Sequence, residues 1–491
     1  MSAPTALSDA SDENRTETPR GRGRKILLYA ATRGTTEGMR SLRGLALAIV
    51  LGPRSFGVWT LFRIIMRYTT LAGLGVPRGL ELEVVQERAM GTEQAMARAH
   101  ESARTALTSI ALTSAAVAVV ALGASFVVSD ATWRIALLAV ALGVVLEELW
   151  IYATTYLRAL RELRRYALLE IASAALHLVF AVGLALAFGL RGAIAGFVVG
   201  ALASLWTVRN VAPFRPAMSR ERLRRLLSVG VPLALSSTLT IALGTADRLV
   251  VAAYGGAAML GLYAFGVSIA GLAASLAWII RIVIFPDVYG STRIAGAAPA
   301  MREHLDRTVL PFATLFPPLL GVLALVMEPS IAIAMPRYLP AAAAARVFIF
   351  VAAATGVTTL GAIGVVAVGK QRLIPLLSAL ALAINLACSM LAFRLGLGLA
   401  VVAGGAVLAQ STIATGVLAI VGTQAERPLA LIAKGMLPLV WCIALVVLMG
   451  RLYDTRSVTG GAESLATYVL LLLPLAPLML RALRSARGQT E

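Results

Sequence analysis

The sequence predicts an all-α, polytopic membrane protein of about fourteen transmembrane helices. Three observations predict it. Hydrophobic residues make up 59% of the 491 positions and charged ones only 14%, where soluble domains carry about a quarter. Mean hydropathy is +0.83. The apolar residues also gather in runs of ~20, the length that crosses about 30 Å of hydrocarbon. Together these exclude a soluble enzyme, a disordered chain, a coiled coil and a disulfide scaffold. The remaining charge is one-sided, 44 Lys and Arg against 25 Asp and Glu for a formal +19. In a soluble protein such an excess points to nucleic acid. In a membrane protein it records topology, and no nucleic-acid partner is expected.

The elements follow in chain order. Residues 1–26 are polar and end in the cluster Arg20, Arg22, Arg24, Lys25. No apolar stretch with a small-residue cleavage site follows, so this reads as a disordered basic cytoplasmic tail and not a cleaved signal. Six runs then form a first half, 27–208: 27–51, 56–76, 105–128, 133–157, 166–189 and 192–209. The first of them is the least apolar. A basic cytoplasmic linker, 209–227, leads to six more within 228–422: 228–252, 258–284, 308–328, 342–369, 373–394 and 398–422. The last two, 430–450 and 464–482, form an appended hairpin at 430–482, followed by a short cytoplasmic tail at 483–491.

Loop charge tests this order. With the N-terminus inside, the inner segments hold 28 Lys and Arg and the outer ones 7. That bias predicts cytoplasmic N- and C-termini and an even number of spans, since one missed helix would invert every later loop. The longest outer connection, about 450–463, is too short to fold as a domain. The chain is therefore one membrane bundle without a soluble catalytic module.

The chain also repeats. Gly52-Pro-Arg-Ser-Phe-Gly57-Val-Trp59 recurs as Gly256-Ala-Ala-Met-Leu-Gly261-Leu-Tyr263, glycine on glycine and aromatic on aromatic at an offset of 204. A weaker echo links Gly192 and Gly196 with Gly398 and Gly404, at 206 to 208. Spans 1–6 and 7–12 thus read as two six-helix lobes. Six is even, so the copies enter from the same side and form a parallel repeat, with a substrate cavity expected between them.

Charges inside spans cost about 2.5–3.5 kcal/mol each on insertion scales, so they mark function or pairing. Span 1 carries Arg33, Glu37, Arg40 and Arg43, which fall on one face at ~100° per residue. Glu37 is spaced to bridge Arg33 and Arg40. Span 2 adds Arg63 and Arg67, four apart and on one face. The second half differs: span 7 carries Asp247 and Arg248, span 8 carries Arg281, and Asp247 falls on Arg43 at the repeat offset. Span 4 carries Glu147 and Glu148; span 5 carries Glu170 and His177. Two readings stand side by side. These charges are interhelical ion pairs or snorkelling side chains, with Asp247 or Asp287 serving Arg248 and Arg281. Or they line a water-filled cavity that attracts anions. The surplus of arginine over nearby carboxylate at Arg40, Arg43, Arg63 and Arg67 favours the cavity. Arginine suits phosphate because its planar fork grips two oxygens and stays charged. His177 reads as a packed polar residue rather than a proton relay. Gly192, Gly196 and Gly200 form a close-packing stripe. Pro232 and Pro317-Pro318 are expected to kink or break their helices.

Other chemistries lack their residues. The three histidines, His100, His177 and His304, are far apart, and Cys388 and Cys442 sit alone in apolar runs, so no metal site, disulfide framework or cofactor is expected. No phosphate-binding GxxxxGK[ST] loop, loop DxD pair or GxSxG elbow occurs. The chain is read as a transporter and not an enzyme.

At this point the sequence resembles a family. The run Leu51-Gly-Pro-Arg-Ser-Phe-Gly-Val-Trp59, then Gly230-Val-Pro232, Asp247-Arg248, Gly261-Leu-Tyr263 and Tyr338-Leu-Pro-Ala-Ala, on a 6+6+2 arrangement, is similar to the polysaccharide repeat-unit (O-antigen-type) flippases. These belong to the multidrug/oligosaccharidyl-lipid/polysaccharide (MOP) exporter superfamily. The likeness covers about 27–425. It implies a V-shaped, MATE-like bundle working by alternating access in the bacterial plasma membrane. It implies a polyprenyl-diphosphate-linked oligosaccharide as substrate, with polymerases or glycosyltransferases as possible partners beside membrane lipids. Spans 1, 2, 7 and 8 line the cavity in that family, which places Arg33, Glu37, Arg40, Arg43, Arg63, Arg67, Asp247, Arg248 and Arg281 at or near it. Flippases of the peptidoglycan lipid precursor share the fold and the charge, and stay open as an alternative. Drug and cation antiporters of the superfamily use acidic sites, for which Asp247 is the nearest candidate. Glu37, Glu170 and Asp247 are the groups that would carry a coupled proton.

Overall fold

A computed structural model describes residues 19–295, 297–424 and 427–486. The described elements are all helical. They are α1 (Pro19–Thr69), α2 (Val76–Met90), α3 (Glu93–Val127), α4 (Ala131–Ala159), α5 (Leu163–Val208), α6 (Arg220–Leu243), α7 (Ala246–Ala295), α8 (Ala297–His304), α9 (Leu310–Ala334), α10 (Ala342–Phe348), α11 (Val351–Ala367), α12 (Leu373–Arg394), α13 (Leu399–Gln424), α14 (Pro428–Leu452), α15 (Val458–Leu471) and α16 (Ala476–Ala486). Among the described residues, twelve stretches are long and apolar enough to cross a membrane. The sequence divides the same apolar residues into fourteen runs, and the difference arises where one helical stretch contains a reversal.

Three helices contain a glycine with non-helical dihedrals: Gly52 in α1 (φ 70°, ψ 171°), Gly189 in α5 (φ 59°, ψ −137°) and Gly256 in α7 (φ 71°, ψ −175°). In α7 the Tyr263 hydroxyl donates to Asp247 at 2.6 Å. Sixteen residues of straight helix would separate them by about 24 Å, so the chain doubles back at Gly256. Gly52 lies 204 residues earlier with nearly the same φ and ψ, and so makes the same turn. Left-handed φ is nearly free only for glycine, and both copies keep one there. α5 doubles back as well. A Cβ on Gly192 would meet the Leu184 carbonyl oxygen at 1.9 Å, and one on Gly196 would meet that of Phe180 at 2.2 Å. The expected glycine stripe is thus the seam of a hairpin. Positive φ recurs near the same offset elsewhere, at Arg161 and Gly369 and at Gly189 and Gly396.

The starts of other helices are local in origin. Asp130 caps α4 by accepting from Thr132 N at 2.8 Å and Trp133 N at 3.0 Å, and Thr92 caps α3 by accepting from Ala95 N at 3.2 Å. The expected tail overlaps α1, which begins at Pro19; residues 1–18 and 487–491 lie outside the described ones. Helix α6 runs through Pro232, and α9 through Pro317 and Pro318, so neither is broken there. The predicted inner loop 77–104 holds a helix, α2, with Val76, Leu80 and Val84 buried. Proline in its first turn and Gly91 at its end are the sequence signals for it.

The chain packs as two compact units. The first holds the described residues up to Met39 together with Phe62–Thr238, and the second holds Arg40–Leu61 together with Leu239 onward. The first has a core of Leu80, Val84, Leu107, Ile110, Tyr152 and Leu226. The second is centred on Phe312, Phe350, Leu360, Val417, Cys442 and Tyr468. Packing therefore crosses the repeat limits. In the first unit, α6 lies on α2 with the backbones of Gly75 and Gly230 in mutual contact. In the second, α1 crosses α7: a Cβ on Gly57 would fall 1.7 Å from the Ala257 oxygen, and one on Gly261 would fall 1.8 Å from the Pro53 oxygen. Both partners shift by 204, so this crossing is symmetric under the repeat.

Candidate functional site

In the first unit Arg63 of α1 meets α5. The Arg63 guanidinium carbon lies 4.5 Å from the centre of the Phe197 ring. Phe197 in turn packs edge-on against Phe62 at 5.4 Å and against His177 at 5.2 Å. A cation over an aromatic face gains roughly 0.5–2 kcal/mol, the more as water is excluded. His177 Nδ1 lies 2.9 Å from the Ser173 carbonyl oxygen, which can only accept, so Nδ1 carries the hydrogen. The other nitrogen faces Glu147 Oε1 at 3.5 Å. Ser204 donates to Ser173 at 2.9 Å, and Tyr166 donates to Glu170 at 3.0 Å. Glu148 is 1% exposed. Its carboxylate lies against the Gly73 backbone. Arg63, Phe197, His177 and Glu147 thus touch in series, by a cation–ring contact, a ring–ring contact and an approach of His177 to Glu147. Arg67 lies one turn beyond Arg63 on the same helix. Glu37 lies on the earlier part of α1 that packs in this unit. The side chain of Arg33 lies outside the described ones, as does that of Asp287.

In the second unit Arg40 is exposed and Arg43 half-buried. They precede Gly44, which approaches Ser268 of α7. Asp247 is 2% exposed. It accepts from Tyr263 at 2.6 Å and from the Arg248 backbone N at 2.9 Å, with Arg248 Nε 4.0 Å away. Arg248 Nη2 donates to the Gly244 carbonyl. This cluster closes the Gly256 turn. Arg281 stands elsewhere, its guanidinium 5.0 Å from the Trp278 ring. Eighteen residues of helix separate it from Tyr263, about 27 Å. The structure therefore joins Asp247 with Arg248, as the sequence suggested, and does not bring Arg281 to them. Sequence reasoning missed Phe197 as the platform for Arg63 and Tyr263 as the partner of Asp247. In the sequence Tyr263 stands out as part of the repeat and of the family likeness, not as a partner of Asp247; Phe197 carries no signal. Among the described residues no cluster of His, Cys, Asp or Glu is arranged to hold a metal.

The architecture has known counterparts. The chain is similar to the lipid II flippase MurJ in an inward closed conformation, with a TM-score of 0.65 at 12% identity over 93% of this chain and 99% of that one. It is similar to an outward-facing multidrug resistance MATE family transporter of the MOP superfamily, with a TM-score of 0.56 at 15% identity over 88% and 97%. A MOP superfamily transporter from Pyrococcus furiosus gives 0.53 at 17% identity over 83% and 96%. At such identities the likeness is one of fold. It defines the class: a multi-pass membrane protein with the MOP transporter fold. The chain belongs to the polysaccharide biosynthesis protein family, whose pattern it matches over residues 46–338. No curated protein matches it in sequence.

Proposed function

We propose that this protein is a flippase that moves polyprenyl-diphosphate-linked oligosaccharide units from the inner to the outer leaflet of a bacterial plasma membrane, by alternating access, for surface polysaccharide assembly. The observation that carries the reading is the cationic helix α1 in a chain of the polysaccharide biosynthesis family. Six arginines, Arg33, Arg40, Arg43, Arg54, Arg63 and Arg67, share it with the single carboxylate Glu37 between residues 33 and 67. A diphosphate offers the complementary charge, and arginine forks match its paired oxygens. The engagement of Asp247 with Tyr263 and Arg248 weighs against its use as an open cation site. Arg40, Arg43, Arg63 and Arg67 are the residues we assign to the head group, with Glu37 tuning them. Asp247 and Arg248 hold the turn.

The test is reconstitution in liposomes with a labelled polyprenyl-diphosphate oligosaccharide, read by its exposure to an external sugar-modifying enzyme. Wild type is expected to flip. Arg40→Ala and Arg63→Ala are expected to lose about tenfold or more, since a charged hydrogen bond contributes about 1.5–3 kcal/mol. Normal flipping by folded variants would remove these arginines from the substrate path. Activity on the peptidoglycan lipid precursor alone would reassign the substrate.

A further inference from the structure

At one end of the second unit a cavity of about 180 Å³ opens between the segment Arg302–Leu310 and the start of α14. Its walls carry Arg302 and Asp306 on one side and Arg427 and Lys434 on the other, over Leu305 and Leu431. Arg302 and Asp306 are four residues apart, one turn of helix. Arg427 stands just before α14 with non-helical dihedrals (φ −142°, ψ 50°), and Lys434 lies two turns into the helix; both line the cavity. Three cations thus converge over one carboxylate, with a floor of two buried leucines. The first turn of α14 adds the positive end of a 25-residue helix. One water needs about 10–15 Å³ of such space, so the cavity has room for a phosphate and the first atoms of its ester. The face of Lys434 continues along α14 through the exposed Leu437 and Trp441, at i+3 and i+7. That gives an apolar track leading away from a basic cavity. The loop charges predict this end to be the cytoplasmic one, where basic pockets between spans take anionic lipid head groups.

We propose that Arg302, Arg427 and Lys434 form a binding site for the phosphate of an anionic lipid, its chain lying along Leu437 and Trp441. The chemistry, a phosphate on an apolar tail, belongs both to acidic phospholipids and to isoprenoid diphosphates. The experiment separates them and reads binding, so its outcome is independent of the transport reading.

Full-length protein in phosphatidylcholine nanodiscs is titrated separately with short-chain phosphatidylglycerol, farnesyl diphosphate and inorganic phosphate. Arg427→Gln/Lys434→Gln is expected to raise the apparent Kd for the lipid ligand at least tenfold. Asp306→Asn, which removes the opposing carboxylate, is expected to lower it severalfold. Whichever of the two lipids shows this pattern more strongly is the source. Unchanged melting without ligand certifies the fold; should the double variant unfold, Lys434→Gln at its exposed position gives the same reading. The proposal is overturned if neither lipid loses affinity in the variants, or if inorganic phosphate binds as tightly as the lipids.

Discussion

Glu328 is 5% exposed and sits between three partners. Arg346 Nη1 lies 2.8 Å from one carboxylate oxygen, the Thr455 hydroxyl donates to the same oxygen at 2.5 Å, and Arg456 Nε is 3.8 Å from the other. Removing one member of a buried pair leaves an uncompensated charge, at a cost of about 3–5 kcal/mol. Arg346→Ala is therefore expected to lower the thermal unfolding temperature sharply, and Arg346→Met with Glu328→Leu to restore most of it. A double variant as unstable as the single would disprove the pairing argument. The Asp247 cluster makes a second residue-level prediction. Because Tyr263 supplies one of its few donors, Tyr263→Phe is expected to destabilise by about 1–3 kcal/mol. Combined with Asp247→Ala, the loss is expected to be much less than additive, since both act through one contact. Additive losses in a double-mutant cycle would mean that the two side chains serve different ends.

Among elements, the crossing of α1 and α7 has the least room. Gly57 and Gly261 each place backbone against backbone, so any Cβ must push the helices apart. Overpacking of this kind costs about 1–3 kcal/mol, and occasionally more. Gly57→Val and Gly261→Val are each expected to lower the melting temperature and the yield of folded protein. By the symmetry of the contact the two losses should be similar. A large inequality between them would contradict that symmetry. The repeat was legible as a pair of glycine-framed motifs because such a contact leaves a mark at both partners. Phe197 under Arg63 left none, since a buried phenylalanine in an apolar run resembles its neighbours.

Across the whole molecule, packing and repeat take different boundaries. Helix α6 lies where the sequence predicts the second copy to begin, yet to Thr238 it packs in the first unit. Arg222 fixes it there, 3.1 Å from Glu83 and 3.3 Å from Glu101, while Ser102 donates to Glu83 at 2.8 Å. The linker before it is tied as well: Tyr152 donates to the Pro213 carbonyl at 2.9 Å and Thr108 to that of Ala217 at 2.9 Å. Limited trypsin digestion is accordingly expected to spare Arg220 and Arg222 in the wild type. Arg222→Glu sets like charge against both glutamates and is expected to expose this region to cleavage. Equal resistance of the variant would show that the apolar contact of Leu226 suffices without the ion pairs.

The sequence by itself determined that the chain lives in a membrane, roughly where it crosses, and the excess of cation on α1. Hydropathy and charge act locally, within the ~20 residues of one span, and so can be read in order along the chain. Tertiary structure decided which charges are partnered. Arg222 with Glu83 spans 139 residues and Thr455 with Glu328 spans 127; such pairs depend on how helices pack, and no local period encodes them. It also decided that α6 and residues 40–61 pack across the repeat limits. A glycine crossing and a buried ion pair each need two distant segments to form one surface.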